Sequence, residues 1–280
     1  MVGTRLIEKR FHKKGFTLIE LLVVISIIAV LLSVLMPALT KAKKVAKEIV
    51  CRSNMHQWGV VFTAFFIDND GHTIGWPLGE ETEEGTGYGE GVPGAEGWPA
   101  VLHEYYQGVK GIRFCPEAVK NPREVPLFYG DKKTAWNWGW IGAVDWSGSY
   151  GINDWAYSPW PGVTTSWGRP VAGMVWDKID NVTKADTVPL LLECATIGGF
   201  PASTDGPLDA PVYPEIDWIH INRFCMDRHG IGGLNCLFMD NSTRRVGIKE
   251  LWTFKWSKQF DTEGPWTLAG NGGVPPDWPE

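Results

Sequence analysis

His229 and Asp240, with Cys225 and Cys236 nearby in sequence, have the residue types of a nucleophilic site: a thiolate activated by an imidazole that a carboxylate orients. No nucleophile elbow and no glycine loop of the oxyanion type accompanies them, so the pattern does not support catalysis. The spacing favours a structural role, in which His229 fixes the loop before a strand while Asp240 and Asn241, both turn formers, shape a hairpin turn by hydrogen bonds. The five cysteines (Cys51, Cys115, Cys194, Cys225 and Cys236) contain no C-x-x-C pair, which leaves a zinc site without support in the spacing. "DNDG" (Asp68 to Gly71) starts like a calcium loop, but Gly79 stands where the twelfth-position carboxylate belongs.

The most conspicuous carboxylate is elsewhere. Glu20 is the only charge in the stretch from Gly15 to Thr40, and Phe16 to Leu39 supplies the roughly 20 apolar residues that cross a hydrocarbon core. An acidic residue at the centre of such a helix costs about 2.5–3.5 kcal/mol on insertion scales, and less near the interface, so Glu20 needs a partner. Arg5, Lys9, Arg10, Lys13 and Lys14 precede the apolar run against Glu8 alone, a net +4 over the first fifteen residues. The positive-inside rule therefore places the amino terminus in the cytoplasm and everything after about Lys41 across the membrane. A cleavable Sec signal is the rival reading, but the run exceeds the usual apolar region and offers only an imperfect small-x-small triplet ending at Ala38. Pro37 lacks an N–H and disfavours helix just before it, which predicts a kink or a melted turn near Val34 to Met36.

"KKGFTLIELLVVISIIAVLLSVLMPAL" (Lys13 to Leu39) resembles the cleavage and methylation signature of type IV prepilins and type II secretion pseudopilins: a basic leader, Gly, Phe, three residues, Glu, then an uninterrupted apolar helix. The resemblance implies that a prepilin peptidase cuts between Gly15 and Phe16 and methylates the new amine of Phe16. It also implies that Glu20 attracts that amine on a neighbouring subunit during assembly, and that Pro37 loosens the helix as subunits pack. A second resemblance, to large pseudopilin-like proteins of planctomycetes and related bacteria, rests on Cys51, Asn54, Gln57 and Gly59, on "RFCPEA" (Arg113 to Ala118) and on "SYGIND" (Ser149 to Asp154). It includes an imperfect form of their H-x9-DG motif, with His229 and Asp240 separated by ten residues and Asn241 in place of Gly. The family implies no enzymatic cofactor, and calcium as a metal, without placing its site. It implies as partners further copies of the chain, other pseudopilins, the prepilin peptidase, an inner-membrane assembly platform and membrane lipid. The expected location is the inner membrane as a single-pass protein with a periplasmic head, then a periplasmic or surface filament.

The remaining elements fit an α+β fold in which a long amino-terminal helix packs on a carboxyl-terminal antiparallel sheet. Cys51, Met55, Trp58, Phe62 and Phe65 fall at i, i+4, i+7, i+11 and i+14, a stripe that should cover a sheet, with Arg52, Gln57 and Thr63 opposite. The helix should stop at "DNDG", with Gly71 as cap. Thr187 to Ala195 and Gly233 to Asp240 read as strands, and Ser242 to Ile248 as the second arm of a hairpin. Cys194 and Cys236 then read as strand core residues, whereas Cys51 and Cys115 could join helix and insertion as a disulfide, which an extracytoplasmic location permits. The organisation expected is a leader (1–15), a membrane and filament-core helix (16–40), an amphipathic half (41–70) and a head (71–280), the head comprising a Trp-rich insertion (71–185) and a sheet region (186–280).

Sixteen Trp, 33 Gly and 19 Pro in 280 residues predict loop-rich, aromatic-anchored structure. Trp136, Trp138 and Trp140 alternate as on one face of a strand, and the favoured reading is that such residues pin the insertion to the sheet. The alternative function, a surface-displayed carbohydrate-binding or adhesion module, would use them for stacking. With a formal net charge of −6 for the chain, the part after the basic leader carries −10 and is a poor partner for nucleic acid.

Overall fold

The apolar run and the stripe behind it form one helix, α1 (Leu18–Asp68, 51 residues), which passes through both compact units of the chain, Met1–Lys44 and Val45–Glu280. The computed structural model describes residues 16–75, 97–107, 109–118, 129–141, 144–158, 164–166, 169–207, 220–224, 226–230, 232–273 and 276. The leader, with Gly15, lies outside these residues, as does Cys225.

In the first unit every described residue is exposed, and the helix is long and apolar enough to cross a membrane. Its few polar side chains fold back on its own backbone. The hydroxyls of Ser26, Ser33 and Thr40 donate to the carbonyls of Val23 (2.8 Å), Val30 (2.7 Å) and Met36 (2.9 Å), which removes the cost of placing unpaired hydroxyls in hydrocarbon. Val34 to Met36 are helical, so the melted turn expected before Pro37 does not form. One missing hydrogen bond is a small perturbation in a helix whose other turns propagate cooperatively.

In the second unit the stripe is buried as its spacing demands: Cys51, Met55, Trp58, Phe62 and Phe65 line one core, while Gln57 and Thr63 stay exposed and Arg52 half-buried. Each fully buried large side chain contributes about 1.5–3 kcal/mol. The helix ends in a Schellman-type cap, with Asp70 (φ 53°) and Gly71 (φ 79°) both left-handed and the Gly71 N–H bonded to the Phe66 carbonyl at 2.8 Å.

The sheet covered by the stripe is built from β3 (Tyr150–Asn153), β4 (Pro189–Glu193), β5 (Gly198–Gly199), β6 (Gly233–Phe238) and β7 (Thr243–Gly247), in the order β7-β6-β4-β3-β5. Its ladders are antiparallel except for the parallel β3–β5 pair at one edge. The sheet is thus mixed, not wholly antiparallel, and it draws on both sides of residue 185, because β3 comes from within the Trp-rich region. A separate hairpin, β1 (Trp136–Ile141) and β2 (Val144–Gly148), precedes it.

Strand alternation sends Tyr150, Ile152, Leu191 and Leu237 into the core shared with α1. Leu192, Leu234, Cys236 and Phe238 join a second core with Phe224, Trp252, Phe254 and Trp256. Asp240 shapes the β6–β7 turn as expected, accepting the Ser242 N–H (2.9 Å) and hydroxyl (2.6 Å), while Asn241 takes the left-handed conformation (φ 68°). That turn meets α1 at Gly59, where an added Cβ would lie 1.7 Å from the Asn241 Oδ1.

The seven buried tryptophans of the described residues share one device. Trp58, Trp98, Trp136, Trp155, Trp176, Trp252 and Trp256 each donate the indole N–H to a backbone carbonyl, respectively of Ile112, Ile197, Tyr150, Pro201, Trp256, Asp205 and Leu251. Segments with little ladder pairing leave carbonyls without partners, and an indole supplies both a donor and a large apolar surface. Trp136 is therefore core, not a stacking surface; the side chains of Trp138 and Trp140 lie outside the description.

Candidate functional site

Among the described residues, two places gather side chains with chemistry. The first is the start of α1. Thr17 precedes the first helical residue, and its backbone N–H donates to the Glu20 carboxylate at 2.9 Å while its hydroxyl donates to the same oxygen at 2.8 Å. The Glu20 N–H points back at the Thr17 Oγ1, 3.3 Å away. This is a capping box, T-x-x-E, and Glu20 also sits where the helix dipole favours an anion. The carboxylate thus has a partner inside its own chain, and the spacing that provides it, Thr three residues before Glu, is legible in "TLIE". Phe16 is exposed beside it.

The second place lies between α1 and the sheet. Cys51 arrives on the buried stripe, Cys115 on the loop before Pro116, Glu193 at the end of β4 and His229 in the loop before β6. One ligand-type atom from each lies within 4.8 Å of every other, and all four residues are buried. The His229 Nε2 is 3.3 Å from the Cys115 Sγ and 3.3 Å from the Glu193 Oε1, the latter contact at ion-pair distance but not aligned as a hydrogen bond. Tyr150 donates its hydroxyl to the Cys51 Sγ (3.3 Å), and the Asn235 N–H donates to the Glu193 Oε2 (2.9 Å). The Glu193 Oε1 and the His229 Nδ1 are buried with no hydrogen-bond partner among the described residues.

Arg228 braces this centre. Its guanidinium donates to the carbonyls of Ser149, Cys194 (3.0 Å) and, in one turn, Asp131 (3.1 Å) and Thr134 (3.4 Å), tying three segments to its own. Burial pushes the Cys51 thiol up. The hydrogen bond with Cys51 outweighs burial at Cys115 and brings its thiol down to about 7, with His229 and Arg228 helping. Burial alone would lower His229, but its contacts with Cys115 and Glu193 raise it to about 10. Burial would raise Glu193, yet His229 and Arg228 together hold it below the usual carboxylate range. Cys115, Glu193 and His229 are thus each shifted toward the charged form, and Cys51 toward the neutral thiol.

Several expectations change here. His229 meets Cys115 and Glu193, whereas Asp240 is engaged in its own turn, so the two halves of the imperfect motif do not act on each other. Cys236 points into the other core, and among the described residues no thiol, imidazole and carboxylate group includes Asp240; Cys225 lies outside them. Cys51 and Cys115 do meet, as unbridged thiols. The absence of a C-x-x-C pair hid a four-residue cluster, because its members come from four segments. Glu193 and Arg228 had no local signal at all. Among the described residues, no group of three carboxylates forms an oxygen-rich calcium cage; the one grouping of metal-ligating type is the Cys51, Cys115, Glu193 and His229 cluster.

Comparison with known proteins bears on the first place. The family model described as "Prokaryotic N-terminal methylation motif" matches residues 10–36. The "Type IV wide pilus major component PilA4" of Thermus thermophilus is 45% identical over 62 residues, 22% of this chain and 47% of that protein. The "Competence protein ComGC" of Bacillus subtilis is 36% identical over 62 residues, 22% of this chain and 63% of that protein. The protein of the same name from Halalkalibacterium halodurans is 37% identical over 59 residues, 21% of this chain and 58% of its own length. The chain thus spans roughly half to two thirds of the curated relatives that it matches, through about a fifth of its own length. No solved structure matches it.

Proposed function

We propose that this chain is a membrane-anchored, pilin-like structural subunit that assembles into a type II secretion pseudopilus or a related type IV-like pilus. The observation that carries the reading is the methylation motif over residues 10–36, continuous with an exposed apolar helix. In this reading prepilin peptidase cuts between Gly15 and Phe16, the Phe16 amine is methylated, and the subunit waits in the inner membrane with its leader cytoplasmic and its head periplasmic. Glu20 then pairs with the amine of a neighbouring Phe16 as an assembly platform draws subunits out of the bilayer, and Pro37 provides the point at which the helix loosens. Further copies of the chain and other pilins are the partners, and the work is assembly, not catalysis.

Intact-mass measurement of native protein from cells with and without the peptidase tests the reading. Loss of Met1 to Gly15 and gain of one methyl group, only where the peptidase is present, is the expected result. An uncleaved chain, or a cut after Ala38, overturns it.

A further inference from the structure

We propose that Cys51, Cys115, Glu193 and His229 form a four-coordinate site for a thiophilic divalent cation, with zinc as its ligand of first choice. The donor set is two sulfurs, one imidazole nitrogen and one carboxylate oxygen, which is the chemistry of a closed tetrahedral zinc site and not of calcium or magnesium. Zinc–ligand bonds of about 2.0–2.3 Å at tetrahedral angles put neighbouring donors roughly 3.3–3.8 Å apart. Two of the donor pairs are already at 3.3 Å and none exceeds 4.8 Å, so binding asks for a contraction of about 1.5 Å at most.

The surroundings point the same way. The Glu193 Oε2 is taken by the Asn235 N–H, leaving the Oε1, fully buried and without a hydrogen bond, aimed at the cluster. Its contact with His229 is at ion-pair distance but misaligned, so a buried carboxylate oxygen still lacks a directed partner, which a coordinated cation would supply. Tyr150 donates to the Cys51 Sγ, as an outer partner of a ligand does. Two thiolates and one carboxylate against a divalent cation leave one negative charge, and the Arg228 guanidinium, held by four carbonyls and close enough to act on Cys115 and Glu193, balances it. A Cys51–Cys115 disulfide is the rival use of the same thiols, and it would leave the Oε1 with only the misaligned contact to His229. Four ligands from remote segments would clamp α1 to the sheet, whatever the chain assembles into.

The test uses the full chain purified in detergent under reducing conditions without chelator. Elemental analysis should find about one zinc per chain, retained through gel filtration and lost to chelator. Cobalt(II) added to the stripped wild-type protein should give the intense visible bands of a tetrahedral site together with a thiolate-to-cobalt charge-transfer band, a readout that needs no variant. Cys115→Ser should lose the charge-transfer intensity in part and bind zinc more weakly, and Tyr150→Phe should weaken binding on the order of 10–100-fold, with folding of each checked by circular dichroism. Substoichiometric zinc with no cobalt charge-transfer band in folded wild-type protein overturns the proposal. So does a Cys51–Cys115 disulfide found by peptide mapping of the native chain.

Discussion

The carboxylate of Glu20 accepts both the backbone N–H and the hydroxyl of Thr17, so the one charge in the apolar run is engaged within its own chain. Capping, which is observed, and the proposed role in assembly make separate demands on one residue, and chemistry can part them. Gln at this position keeps a capping box but carries no charge. Glu20→Gln should insert, be cleaved and stay helical, yet form few or no filaments by electron microscopy. Filaments at wild-type yield from Glu20→Gln would reduce the residue to a cap.

Gly59 leaves the space that the hairpin turn occupies. In Gly59→Ala the new Cβ would collide with the Asn241 side chain, and overpacking of this kind costs about 1–3 kcal/mol, against a helix-propensity gain of up to about 1 kcal/mol. We expect a lowered urea midpoint. Adding Asn241→Gly, which removes the obstructing side chain and suits the left-handed backbone there, should restore stability. No coupling in that double-mutant cycle would contradict the contact.

Asn153 is satisfied on all sides by three segments: its Nδ2 donates to the carbonyls of Pro189 and Trp256, each at 2.9 Å, and its Oδ1 accepts the Trp155 N–H at 3.1 Å. Asn153→Ala leaves buried backbone groups unpaired and should cost about 2–4 kcal/mol by denaturant titration. Asn153→Asp should be as damaging, since a carboxylate cannot donate to either carbonyl. A loss below about 1 kcal/mol for both would argue against this account.

Asp154, half-buried beside it, has its carboxyl raised to about 7 by desolvation, against a smaller opposing pull from Arg223. Unfolded Asp titrates near about 3.9, so between these values the folded state binds more protons. Its stabilising contribution is present at acid pH and is lost as pH rises through about 7. Melting temperatures at pH 5 and pH 8 should differ less in Asp154→Asn than in the wild type. An unchanged difference would show that Asp154 titrates normally.

What could be read from the residues alone was local. The apolar run, the stripe from Cys51 to Phe65, the strand patterns and the turn at Asp240 and Asn241 are periodicities within single segments, and such periods survive folding because each segment's burial follows from its own spacing. The capping box at Thr17 and Glu20 was equally local. Only tertiary structure decided that Cys115, Glu193 and His229 meet Cys51, that Arg228 gathers four carbonyls, that Trp136 is core, and that β3 joins the sheet from within the Trp-rich region. Each of these is a pairing between segments far apart in the chain, chosen by which buried polar groups and indoles could satisfy one another once the helix lay on the sheet, and no spacing along the chain encodes that choice.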